Sequence, residues 1–177
     1  MKAAIAVAVE EPAWRKSGVA LVHIRSAIRL ALLRGLEKPT GSRTSPPFAG
    51  EAARKHGGGP RCELTLLLTH DERLRALNLR FRGKDAPTNV LSFRAAPATD
   101  GYRGDVAIAL GVAQREAAIS GVGLLPHTLH LAVHGVLHLL GYDHVLAREA
   151  RIMERLEIAI LQELGIPSPY ARTAAAE

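Results

Sequence analysis

Residues 134–144 read His134-Gly135-Val136-Leu137-His138-Leu139-Leu140-Gly141-Tyr142-Asp143-His144. On an α-helix, positions four apart share a face with Cβ atoms about 5–6 Å apart, so His134 and His138 present their rings to one point. Gly141 tolerates a left-handed backbone, which lets the chain turn and bring His144 toward the same place. Three neutral imidazole nitrogens with a fourth position open form the donor set of a catalytic zinc rather than a structural one. A lone histidine on an apolar helix is ordinarily a hydrogen-bonded core residue. For these three, the i, i+4 pair followed by glycine and a further histidine outweighs that reading. His127 and His130 keep it: His127 stands near the helix start, open to solvent. His130, one turn before His134, is also placed to hydrogen-bond behind a ligand ring.

The H-x3-H-x5-H spacing, with glycine three residues after the second histidine, also occurs in the metzincin zinc proteases. There a glutamate directly after the first histidine serves as general base. Gly135 occupies that position here, so the carboxylate on which peptide hydrolysis relies is missing. A zinc peptidase is therefore the weaker alternative.

Around this run, Ala117–Tyr142 contains no Asp, Glu, Lys or Arg. Its four imidazoles, at His127, His130, His134 and His138, would be costly in hydrocarbon, so the stretch reads as a buried helix carrying a site rather than a membrane span. The opening apolar run Ala3–Val9 meets Glu10, Glu11 and Pro12 at once, and reads as a strand rather than a signal peptide. A single cysteine, Cys62, excludes a disulfide framework. The expected location is the cytoplasm.

At 177 residues, 47% hydrophobic and 23% charged, the chain is long enough for one domain with an ordinary core and too apolar for disorder. Only 4% of residues are aromatic, too few for the rows of stacked rings of RRM or OB modules. Contact with nucleic acid should therefore run through charge and backbone. The formal charge is +6, but residues 1–60 carry ten basic and four acidic side chains, 61–115 nine and six, and 116–177 four and seven. The basic surplus precedes the histidine run.

The remaining elements follow from periodicity. Gly18–Leu36 has apolar residues near helical spacing, with Arg25, Arg29 and Arg34 mostly opposite. Residues 38–60, rich in Pro and Gly, read as a mobile connection. Cys62–Leu68 is a strand, and Thr69-x-x-Glu72 has capping-box spacing ahead of Leu74, Leu77 and Phe81. Thr88–Arg94 and Gly104–Leu110 are strands, and Ala113–Ser120 is a short helix. Pro126 sits near the start of a helix ending at Leu140, and a last helix spans Ala147–Leu164. Four strands with interspersed helices make one small layered structure over residues 1–167; residues 168–177 read as a frayed tail.

The run His134–His144 resembles the H-G-x-L-H-L-x-G-Y-D-H signature of the YbeY family, bacterial metal-dependent endoribonucleases of ribosomal RNA maturation. Leu77-Asn78-Leu79-Arg80-Phe81-Arg82-Gly83-Lys84-Asp85-Ala86-Pro87-Thr88-Asn89-Val90-Leu91-Ser92-Phe93 is similar to the family's L-N-x-x-[YF]-R-x-x-D-x-P-T-[DN]-V-L-S-F block. Gly104-Asp105-Val106 resembles its G-D-[IV] strand start. The likeness extends from about Leu74 to Ile166. It departs at Arg94, where proline commonly stands, and in the insertion-like Thr40–Pro60.

This resemblance implies an α+β fold with a small mixed sheet, a zinc ion held by His134, His138 and His144, and a functional arginine at Arg82. It further implies single-strand-preferring RNA cleavage near the 3′ end of small-subunit ribosomal RNA, ribosome quality control, and association with the small ribosomal subunit. On that footing Arg82 offers a planar fork to the scissile phosphate opposite the metal, although beside Arg73, Arg75 and Arg80 it also reads as a solvated helix charge. Asp143 has two readings, orienting a ligand imidazole or capping the turn. The Pro87-Thr88-Asn89 turn, Ser92 and Asp105 are expected to shape the cleft. No carboxylate base stands out, so attack by water and by a 2′-hydroxyl are both open. A third reading is a ribosome-assembly binding protein whose metal is structural.

Overall fold

A computed structural model describes residues 2–37, 61–96 and 101–170. The hydrophobic alternation of the first segment produces β1 (Lys2–Val9), in which Ile5, Val7 and Val9 are half-buried while Ala4, Ala6 and Ala8 face out. β2 (Arg61–Thr69) runs parallel to it, with Cys62, Leu64, Leu66 and Leu68 buried on one face. β4 (Tyr102–Ala109) pairs parallel with β2, and β3 (Val90–Arg94) pairs antiparallel on the outer edge of β4. The result is the expected four-stranded mixed sheet, in the order β1-β2-β4-β3.

Between the strands lie α1 (Ala13–Lys16), α2 (Leu21–Leu36), α3 (Asp71–Arg82), α4 (Leu110–Ser120), α5 (Leu124–Leu139) and α6 (Ala147–Glu163), making a single small α+β domain. α5 is apolar nearly all round, as a helix buried on every side should be. Leu129, Leu131, Ala132, Val133, Val136, Leu137 and Leu139 are all buried. It packs on β3 and β4, and α2, α4 and α6 pack against it. α3 covers the other face of the sheet, where Leu74 joins Leu91, Ala107 and Ala109. From Val106 to Ala109, β4 is consequently buried on both sides, and the central helix is pressed onto it.

That contact depends on a missing side chain. A Cβ at Gly135 would lie 2.6 Å from Val106 Cγ1, far inside van der Waals contact. Ser92 on β3 adds a tie, its hydroxyl donating to the Gly135 carbonyl at 3.1 Å.

Several boundaries differ from the expectations. α5 begins at Leu124, with Pro126 third in the helix, where its missing amide falls among donors that lack an intrahelical partner anyway. α4 begins at Leu110 rather than Ala113. The capping box does not form. β2 extends through Thr69, whose hydroxyl donates to Glu10 Oε2, so the N-cap passes to His70, whose Nδ1 accepts from the Arg73 amide at 3.4 Å. Trp14 on α1, outside any sequence expectation, is buried with its indole N–H donating to the Thr69 carbonyl at 3.0 Å.

The 38–60 connection lies outside the described residues, as do 171–177 of the expected tail. Ser168–Tyr170 are described, and Tyr170 is half-buried against α6. Among the described residues no helix is long and apolar enough to cross a membrane.

Candidate metal centre

His134 and His138 emerge one turn apart from α5. The helix closes at Leu140, and Gly141 follows with φ +95°, the left-handed turn its position called for. The Gly141 and Tyr142 amides donate back to His138 and Leu137 at 3.0 and 3.1 Å, so the last carbonyls of the helix are satisfied as the chain reverses. Asp143 Oδ1 accepts from the His144 amide at 2.7 Å. This is the contact that a cap on the turn makes, and Asp143 also stands beside His138. The His144 ring then stands 5.5 Å from that of His134 and 5.0 Å from that of His138. One nitrogen from each ring lies within 4.8 Å of the others.

Which nitrogens face inward is decided by the groups behind them. His138 Nδ1 lies 3.1 Å from the Tyr142 carbonyl, and His134 Nδ1 lies 2.7 Å from Glu157 Oε1. A carbonyl can only accept, so His138 Nδ1 carries the proton. Glu157 behaves likewise. Burial pushes its carboxyl up, but hydrogen bonds from His130 and His134 outweigh that and hold it at about 2. Both Nε2 atoms are therefore bare, and they face each other at 3.0 Å. Two lone pairs that close repel unless a cation lies between them. Burial, followed by the nearby His134 and His144, lowers His138 to about 4, keeping it the neutral imidazole a metal ligand must be. The donor set fits a divalent transition-metal ion with three imidazole ligands.

The neighbouring residues divide by charge. On one side an open cavity of about 280 Å³ is lined by Arg82, Ser92, Arg94, His138, Tyr142 and Asp143. Arg82 reaches it from the last position of α3 and is exposed. Arg94, at the departure from the family block, donates to the Leu139 and His138 carbonyls at 3.3 and 3.4 Å, where an arginine complements a helix C-terminus. On the other side, a cavity of about 250 Å³ is lined by His134, His144, Met153, Glu154, Glu157 and Tyr170.

The structure also places the remaining candidates. His130 Nε2 lies 3.4 Å from Glu157 Oε2, on the carboxylate that holds His134. His127, expected in solvent, is instead mostly covered, with Nε2 2.9 Å from Glu116 Oε2. The same carboxylate accepts from Asn89 Nδ2, which ties the Pro87-Thr88-Asn89 turn to α4. Asp105 accepts from the Tyr102 hydroxyl. Glu157 and Tyr170 were not picked out from sequence. Glu157 did leave a trace: it interrupts the buried stripe Met153, Ile160 and Leu161 of α6, and a carboxylate on an apolar face calls for a partner.

Comparison with known proteins gives the family. The family model for Endoribonuclease YbeY matches residues 48–165. A Rhodopseudomonas palustris protein named Endoribonuclease YbeY is 51% identical over 129 residues, 70% of this chain and 67% of the relative. Proteins of the same name from Chelativorans sp. and Bordetella pertussis are each 48% identical, over 68% and 70% of this chain and 77% and 79% of their own lengths. The solution structure of TM1509 from Thermotoga maritima is similar in fold. Its TM-score is 0.53 at 18% identity, covering 97% of this chain and 92% of that one. Matched over most of its length by that family model and about half identical to several of its members, the chain belongs to the YbeY family of endoribonucleases.

Proposed function

We propose that the protein is a zinc-dependent endoribonuclease that prefers single-stranded RNA. We further propose that it acts in the cytoplasm on the 3′ end of small-subunit ribosomal RNA and in ribosome quality control, in association with the small subunit. The observation that carries the reading is the pair of bare imidazole nitrogens, 3.0 Å apart, beside a cavity that Arg82 also lines.

His134, His138 and His144 would hold the ion, and with three protein ligands a position remains for water or substrate. When bound, the ion supplies Lewis-acid stabilisation of charge on the non-bridging phosphate oxygens and lowers the pKa of a coordinated water or hydroxyl. Glu157 and the Tyr142 carbonyl hold the ligand rings in one tautomer and orientation. Arg82 presents its donor fork to the phosphate from the end of α3. Arg94 steadies the carboxyl end of α5, on which His138 rides. Gly135 leaves the position of the protease base without a side chain, which weighs against peptide hydrolysis.

The test compares wild type with His138→Ala for zinc content and for cleavage of a single-stranded RNA, a duplex and a peptide. Wild type should bind one zinc per chain and cut the single strand, and His138→Ala should lose both while remaining folded. Full RNA cleavage by a folded His138→Ala protein would overturn the assignment. Tight zinc binding with neither substrate cut would favour the assembly-factor reading.

A further inference from the structure

The buried carboxylate behind His134 has three donors on it, and one comes from beyond α6. Glu157 is buried in the middle of that helix. His134 Nδ1 approaches Oε1, while His130 Nε2 and the Tyr170 hydroxyl both approach Oε2. Tyr170 lies past the residues matched by the family model, which end at 165. After α6 the chain turns at Gly165, and Ile166 packs on the core. Ser168 Oγ then accepts from the Tyr170 amide at 3.3 Å. The tyrosine ring lies edge-on to His130, with centroids 6.0 Å apart, and closes one wall of the cavity that also contains His134 and His144.

A carboxylate buried this deeply needs hydrogen bonds on both oxygens to stay satisfied and in one rotamer. Oε1 is taken by His134, so the orientation of the group rests on what holds Oε2. His130 does so at 3.4 Å, a long contact at the edge of useful geometry. The tyrosine hydroxyl is the closer of the two. We propose that Tyr170 is a positioning residue for the metal centre. By fixing Glu157, it keeps His134 Nδ1 against the carboxylate and His134 Nε2 aimed at the ion, making the segment after α6 a working part of the site. The inference rests on the metal reading above and concerns only what orients one ligand.

Partners behind a metal ligand commonly change metal affinity about 10–100-fold. Tyr170 acts one hydrogen bond further out, so Tyr170→Phe in the full-length protein should weaken zinc binding roughly 3- to 10-fold, by competition with a chromophoric chelator. The cobalt-substituted protein should show a shifted visible spectrum, because the ligand geometry changes. The metal-free variant should stay folded and unfold only several degrees below wild type, the cost of one lost hydrogen bond, so weakened zinc binding by the folded protein separates positioning from general support of the fold. Because Tyr170 acts through Glu157, its effect should shrink in a Glu157→Gln background; an undiminished effect there would overturn the inference. So would wild-type zinc affinity and cobalt spectrum in Tyr170→Phe. If that occurs while His138→Ala abolishes binding, the metal reading stands and only the role of Tyr170 falls. If wild type itself takes up no zinc, both fall.

Discussion

Arg82 and Tyr142 show how differently two residues of one cavity should behave. Arg82 is exposed and pairs with no carboxylate among the described residues. Arg82→Lys keeps the charge and removes the planar fork, so kcat/KM for single-stranded RNA should fall by about tenfold or more, with zinc stoichiometry unchanged. An unchanged rate would reduce Arg82 to a solvated charge. Tyr142 instead serves two neighbours. Its carbonyl accepts from His138 and its hydroxyl donates to the Gly35 carbonyl at 3.0 Å. Tyr142→Phe removes only the second bond, so it should cost about 1 kcal/mol in urea unfolding and leave zinc affinity alone. The convergence of His134, His138 and His144 was legible because helical spacing and a glycine turn are local. Glu157 was not: its bond to His134 spans 23 residues and exists only because α6 packs beside α5.

At the scale of elements, the central helix is set by how closely it lies on β4. Gly135→Ala gains about 1 kcal/mol of helix propensity, yet its methyl meets the stiff, buried Val106. The expected net result is a loss of about 1–2 kcal/mol, read as a lower denaturation midpoint at unchanged m-value. Unchanged or increased stability would show that the helix can lift off the sheet without cost. Strand and helix identities were legible wherever periodicity was strong, as in β2 and α6. Their edges were less so. Thr69 carries the capping-box signal, but pairing with Ala109 of β4 extends the strand through it, and the hydroxyl is used by Glu10. Pairing with β4 and the bond to Glu10 outweigh one local cap, and nothing near Thr69 in sequence announces those partners.

For the whole molecule, metal and charge give the broadest tests. Removing zinc with a chelator should lower the unfolding midpoint by roughly 5–10 °C if the ion is held about a hundredfold below its free concentration. No change on chelation would mean that the three rings share no ion. If four to six phosphates are contacted, the affinity for single-stranded RNA should fall with salt at a log–log slope of about −3 to −4. A flat response would mean that the basic surplus is spread over the surface rather than tracking a strand. The close seating of Gly135 on Val106 also bears on ancestry. A single nucleotide change converts some glycine codons to glutamate, the residue that proteases of matching histidine spacing use as their base. In this scaffold the newcomer would have to displace the sheet beneath the helix before reaching any substrate. The shortest mutational path from nuclease to peptidase is thus blocked by backbone proximity, and selection would have to rebuild a strand before it could try the chemistry.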